Sequence, residues 1–173
     1  MNIVVIHQSR SGNTKKAAEL LGGAVNSPEN KVTVRSTENL DFKELANADL
    51  IFIGTWVDGL ILFGHRPGDI GKLNLIPPLW GKTVVAFMTH AVNPGKAASK
   101  FADFLESKGA NVISYRSLNK SKIESDSNSK DKSTNKTNEN NDVVIADRKD
   151  EIELTGELNN ARKKRRRSSA SIE

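Results

Sequence analysis

Cysteine is absent from all 173 residues. That excludes disulfides, thiolate nucleophiles, iron–sulfur clusters and thiolate zinc sites, and it fits a reducing compartment. Long apolar runs are also missing, for no stretch approaches the ~20 residues that cross a bilayer. The early run Ile3–Ile6 is too short for the apolar core of a secretion signal. The expectation is a soluble, cytoplasmic protein with no integral membrane segment. A uniform charge is lacking too, despite a net +5. Residues 1–118 carry 13 basic and 10 acidic side chains, and residues 119–173 carry 13 and 11. Only Arg162–Arg167 is a dense cationic block, so the surplus does not argue for a nucleic-acid-binding fold. The three histidines, His7, His65 and His90, show no metal-ligand spacing.

What is present is an alternation. Apolar runs recur at Ile3–Ile6, Val32–Val34, Leu50–Ile53, Thr83–Phe87 and Val112–Tyr115. The first, third and fourth are apolar on both faces, as central parallel strands must be when helices cover each side. Between them lie helical patterns at Thr14–Gly23, Asp41–Ala48 and Gly95–Lys108. Asp41 precedes Glu44 at capping-box spacing, and Gly109 follows the last pattern as a helix stop. Strand and helix in alternation predict an α/β fold, a doubly wound five-stranded parallel sheet in the order 2-1-3-4-5. Leu60–Gly81, rich in Gly and Pro, reads as a functional loop holding at most a short helix.

In such a sheet ligands sit beyond the carboxyl ends of the strands, where the strand order reverses. Three loops should meet there: Ser9–Thr14, Thr55–Gly59 and Thr89–Gly95. Ser9, Arg10, Ser11, Gly12, Asn13 and Thr14 supply hydroxyls, an amide and backbone N–H groups at a helix start. That combination favours an anion such as phosphate, and Gly12 lets the backbone close around it. The loop contains neither GxxxxGK[ST] nor GxGxxG, which excludes an NTPase phosphate loop and a dinucleotide fold. A phosphoacceptor domain is excluded because His7–Ser11 contains no acid.

The hydroxyl-x-Ser-Gly-Asn-Thr loop after the first strand resembles the phosphate loop of flavodoxins. Thr55-Trp56-Val57-Asp58-Gly59 is similar to the Thr-Trp-x-x-Gly found after their third strand. The resemblance covers about residues 1–118 and implies flavin mononucleotide (FMN) as cofactor. It implies that the Trp56 ring lies on the isoalloxazine and that a nearby peptide bonds the reduced flavin. In the third loop, Thr89, His90, Asn93 and Gly95 take the place of the aromatic residue and acidic cluster that flavodoxins often carry. His90 is the candidate for the other flavin face or a ring hydrogen bond. Without those acids, and with Arg10, Arg66 or Lys96 nearby, the low couple is expected to be less negative. One charge at ~8 Å in an effective dielectric of about 20 contributes roughly 2 kcal/mol, on the order of 90 mV for one electron. His7 reads as a satisfied core residue, His65 has no assigned role, and Trp80 reads as core or loop packing.

The resemblance implies one- or two-electron transfer between a reductase and an acceptor, with no protein catalytic residue. Two alternatives remain at this point: an FMN-dependent reductase of quinone-like acceptors, and a flavin-free scaffold of the same fold. Residues 119–173 form a low-complexity tail expected to be disordered, with a weak helical pattern at Asp147–Ala161. Residues 117–141 lack a pattern for the helix that usually closes such a sheet. The bare face would invite a partner or a homodimer. The basic run would give the tail weak contacts with anionic partners.

Overall fold

The computed structural model describes residues 1–59 and 65–123, all within the first of the two units into which the chain divides, Met1–Asn135 and Lys136–Glu173. The expectations for the tail, including Asp147–Ala161 and Arg162–Arg167, lie outside the described residues.

The central strands are β1 (Asn2–His7), β3 (Leu50–Asp58) and β5 (Thr83–His90). Helices on both sides explain their unbroken apolar runs. Val4, Ile6, Ile51, Ile53, Val84 and Ala86 face a core shared with Leu73, Phe101 and Leu105. The alternate residues Ile3, Val5, Phe52 and Phe87 are equally buried. Edge strands β2 (Lys31–Ser36) and β6 (Asn111–Asn119) are only partly covered, which is why their sequences are mixed. The main sheet runs β2-β1-β3-β5-β6, every pair parallel. This is the expected order once the two-residue β4 (Arg66–Pro67), paired antiparallel to β3, is set aside.

The helices that alternate with these strands are α1 (Asn13–Val25), α2 (Phe42–Ala46), α3 (Ile70–Leu73) and α4 (Ala97–Ser107). Ala17, Ala18, Leu21 and Val25 form the buried stripe of α1. In α4, Phe101 and Leu105 are fully covered, each stabilising by roughly 1.5–3 kcal/mol through burial. Gly109 stands at φ 87° just past α4, as a helix stop requires. Asp41 caps α2, its carboxylate accepting from the Lys43 and Glu44 N–H groups at 2.8 and 3.1 Å. The capping box is not closed by Glu44, which instead takes a bidentate bond from Arg35, both contacts 2.9 Å. That bond is the main reason the Glu44 carboxyl titrates below its ordinary value.

Three expectations need correction. The Leu60–Gly81 segment, described from His65 onward, contains β4 as well as the short helix α3. Of the two readings of Trp80, core fails and loop packing fits: it is 77% exposed, with its ring against Gly109. Residues 120–123 are helical, with Asn119 Oδ1 accepting from the Ser121 N–H at 3.1 Å and Ile123 buried. A helix therefore does begin directly after β6.

Candidate functional site

The turn from β1 into α1 follows from where the chain must leave the sheet. Gln8 is still tied to the sheet, its N–H donating to Gly54 O at 2.8 Å. Gly12 then takes φ 90° and becomes the N-cap, a left-handed conformation that glycine tolerates best. Its N–H goes to Ser9 Oγ at 3.1 Å. The N–H groups of Ser9, Arg10, Ser11, Asn13 and Thr14 have no partner among the described residues. No side chain caps α1 and no acid lies in its first turn. The partial positive charge at this helix end is left unmet.

The next wall is strand rather than loop. Thr55, Trp56, Val57 and Asp58 all belong to β3, whose last residues pair with β4: Val57 with Pro67 and Asp58 with Arg66. The polar groups here are engaged within the chain. Thr55 Oγ1 donates to Gly68 O at 2.9 Å, and the Gly68 N–H donates to Trp56 O at 2.8 Å. Arg66 reaches the Asp58 carboxylate at 3.1 and 3.2 Å. The half-buried indole of Trp56 lies against Gly68, where a Cβ would stand 2.2 Å from the ring. Only a glycine leaves room for it. Gly59, at φ 115°, turns the chain away.

Thr89 and His90 are likewise the end of a strand, β5, with Thr89 beside Trp56 in register. Thr89 Oγ1 and Thr14 Oγ1 share a buried hydrogen bond of 2.9 Å, joining β5 to α1. The Thr14 and Thr55 hydroxyls thus hold the scaffold together, and neither side chain reaches the cleft. Asn93 and Gly95 do not border it either. Asn93 Oδ1 accepts from the Gly95 N–H at 2.8 Å, and Gly95 packs against the His65 ring.

These ends enclose a cleft of about 400 Å³, within the size range of small-ligand sites. Arg10, Ser11 and Asn13 border one part of it. Trp56, Val57, Asp58 and Gly59 border another, and Thr89, His90, Ala91 and Lys120 close it. Two cations, Arg10 and Lys120, face one carboxylate, Asp58, which is already paired with Arg66. Lys96 is not at the cleft but is the N-cap residue of α4. His90 Nδ1 is buried, and no hydrogen bond of normal geometry reaches it. Burial pushes the His90 pKa down, partly offset by the nearby Val92 backbone. His7 is buried as expected, yet its Nδ1 is not satisfied. Its pKa is also lowered, first by burial, with Glu19 and Lys15 acting in opposite directions.

Lys120, Ala91 and Gly68 are the residues that the sequence reading missed. Lys120 follows the Asn119 cap, a helix-start signal hidden in a polar run. The role of Gly68 is a contact across the β3–β4 pair, with no local signature. Gln8 was also missed: it accepts from Thr37 Oγ1 and donates to Asp69 Oδ2 at 3.1 Å, linking β1 to the α3 cap. Among the described residues no group of acids and histidines is placed to hold a metal ion, and no helix is long and apolar enough to cross a membrane. Unbonded donors, a helix start, an aromatic ring and two cations suit an anionic ligand with a flat ring system.

Solved structures share this architecture. Two-electron reduced flavodoxin from Megasphaera elsdenii matches at 24% identity with a TM-score of 0.56, over 66% of this chain and 84% of that one. Oxidised flavodoxin 2 from Bacillus cereus matches at 22% identity and 0.55, over 74% and 94%. A mutant of flavodoxin from Pseudomonas aeruginosa matches at 14% and 0.54, over 75% and 93%. At such identities the likeness is one of fold. No protein of curated function matches the chain. The family model described as flavodoxin domain matches residues 4–153, extending well past Leu118. The chain belongs to the flavodoxin domain family.

Proposed function

We propose that the cleft binds FMN and that the protein carries one or two electrons between a reductase and an acceptor protein. The observation that carries this reading is the β1–α1 turn, with free N–H groups at an uncapped helix start beside an indole-bordered cleft. The residues fit the group. The amides of Arg10, Ser11, Asn13 and Thr14, with the Ser11 hydroxyl and Asn13 amide, suit a phosphate. The helix start favours such an anion by up to ~2 kcal/mol. Trp56 and His90 border the space for the ring system, and Gly59 and Thr89 lie beside it. Bound FMN would supply the electron-accepting chemistry; the chain supplies binding, orientation and charge.

Arg10 and Lys120 replace the acids that would oppose added negative charge, so the low-potential couple is expected to be less negative than in a strongly acidic flavodoxin. The near-neutral charge of residues 1–118 suits a partner without a strongly basic docking face. Ser9, Gly12, Thr14 and Thr55 serve the site by shaping its walls, whereas Asn93 and Gly95 order the third loop away from the cleft. Adding FMN to the purified chain tests the reading. Saturable binding with quenched flavin fluorescence is expected. A chain that stays colourless and leaves the fluorescence unchanged is a scaffold instead.

A further inference from the structure

We infer that His90 is the proton acceptor of this cleft, its imidazole taking up a proton from the solvent buffer when bound flavin has been fully reduced by two one-electron transfers from a donor protein. The inference rests on the FMN reading and adds a chemical role that reading does not contain. The charges balance: two donor molecules each lose one electron, the flavin would take both with one proton, and the second proton, from the buffer acid, goes to His90 and cancels the remaining negative charge.

Three observations support it. First, His90 borders the cleft with a half-buried ring, while its Nδ1 is buried near the Val92 backbone with no hydrogen bond of normal geometry among the described residues. The other imidazole with an unpartnered Nδ1, His7, lies at the end of β1 under the influence of Glu19 and Lys15 on α1. Second, the charged groups that border the cleft beside His90 can be named among the described residues. They are Arg10 from the β1–α1 turn, Asp58 of β3 with its partner Arg66 of β4, and Lys120 beyond β6. His65 lies against Gly95, in the connection that follows His90. Histidine is the side chain whose charge changes between pH 5 and 8, and His90 is the one at the cleft. Third, burial lowers the His90 pKa before reduction, partly offset by the Val92 backbone. Negative charge arriving beside a half-buried imidazole favours its protonated form.

The test uses the full chain loaded with FMN. The His90 imidazole resonance is followed against pH by NMR in the oxidised and the fully reduced protein, with His90→Gln identifying the signal. Its pKa is expected to rise by about one to three units on reduction. Between the two pKa values the midpoint potential should shift with pH by one proton more than in His90→Gln. An equal pKa in both redox states overturns the inference while leaving FMN binding intact, and so does an unchanged potential profile in the variant. The pKa values are read on the unaltered chain, and if His90→Gln folds poorly, His7→Gln and His65→Gln identify the His90 signal by elimination. Failure of FMN to bind removes both the inference and the reading beneath it.

Discussion

At the β1–α1 turn the backbone donors of Arg10, Ser11, Asn13 and Thr14 stand without partners, whereas at the β3–β4 corner the polar groups are paired. Thr55 is tied to Gly68, Trp56 O to the Gly68 N–H, and Asp58 to Arg66. The contrast assigns work to each side. Unmet donors at a helix start await an anion, because such groups are costly to leave unbonded once water is displaced. A fully bonded corner holds an aromatic ring in one place, so binding there costs little ordering entropy. One wall supplies attraction and the other supplies shape.

Disturbing the corner should have the largest effect. Gly68→Ala puts a Cβ 2.2 Å from the Trp56 ring, and such overpacking costs typically 1–3 kcal/mol. Urea unfolding should show that loss, and FMN titration should show affinity weakened by up to about tenfold as the indole is displaced. Trp56→Ala leaves the corner's hydrogen bonds in place and removes only the ring. Stacking of roughly 0.5–1.5 kcal/mol then translates into a Kd about three- to tenfold weaker, read by fluorescence quenching. The preference for a phosphorylated over an unphosphorylated flavin should be unchanged in that variant, since the turn is untouched.

A smaller effect concerns pH, because the site lies near the buried His7 and the half-buried His90. His7 and His90 both titrate below the ordinary 6.5, chiefly through burial. Between those lowered values and 6.5 the unfolded chain binds more protons than the folded one. Stability is therefore fully present above about 6.5 and falls as pH drops toward the lowered values. Urea midpoints at pH 7.5 and 5.5 should show the decline, and His7→Gln should reduce it.

The strands β1, β3 and β5 were legible because burial on both faces leaves unbroken apolar runs such as Ile3–Ile6. The turn at Ser9–Thr14 was legible for a local reason: small hydroxylated residues and a glycine between a strand and a helix carry their own geometry. The corner was not. Trp56–Asp58 looks like loop sequence, and it is strand only because Arg66 and Pro67, distant in sequence, pair with it. The Thr14–Thr89 hydrogen bond spans 75 positions, so the hydroxyls of both residues looked available when they are engaged with each other. Lys120 escaped notice because its helix begins among polar residues, where hydrophobic periodicity is silent. Tertiary pairing, rather than local propensity, set what was missed.

The central claim is that the β1–α1 turn grips a phosphate. Parallel titrations of the chain with FMN and with riboflavin, which lacks the phosphate, test it most directly. With ~2 kcal/mol from the helix start and its amides, FMN should bind about thirtyfold tighter than riboflavin. Equal affinities for the two flavins would contradict the account.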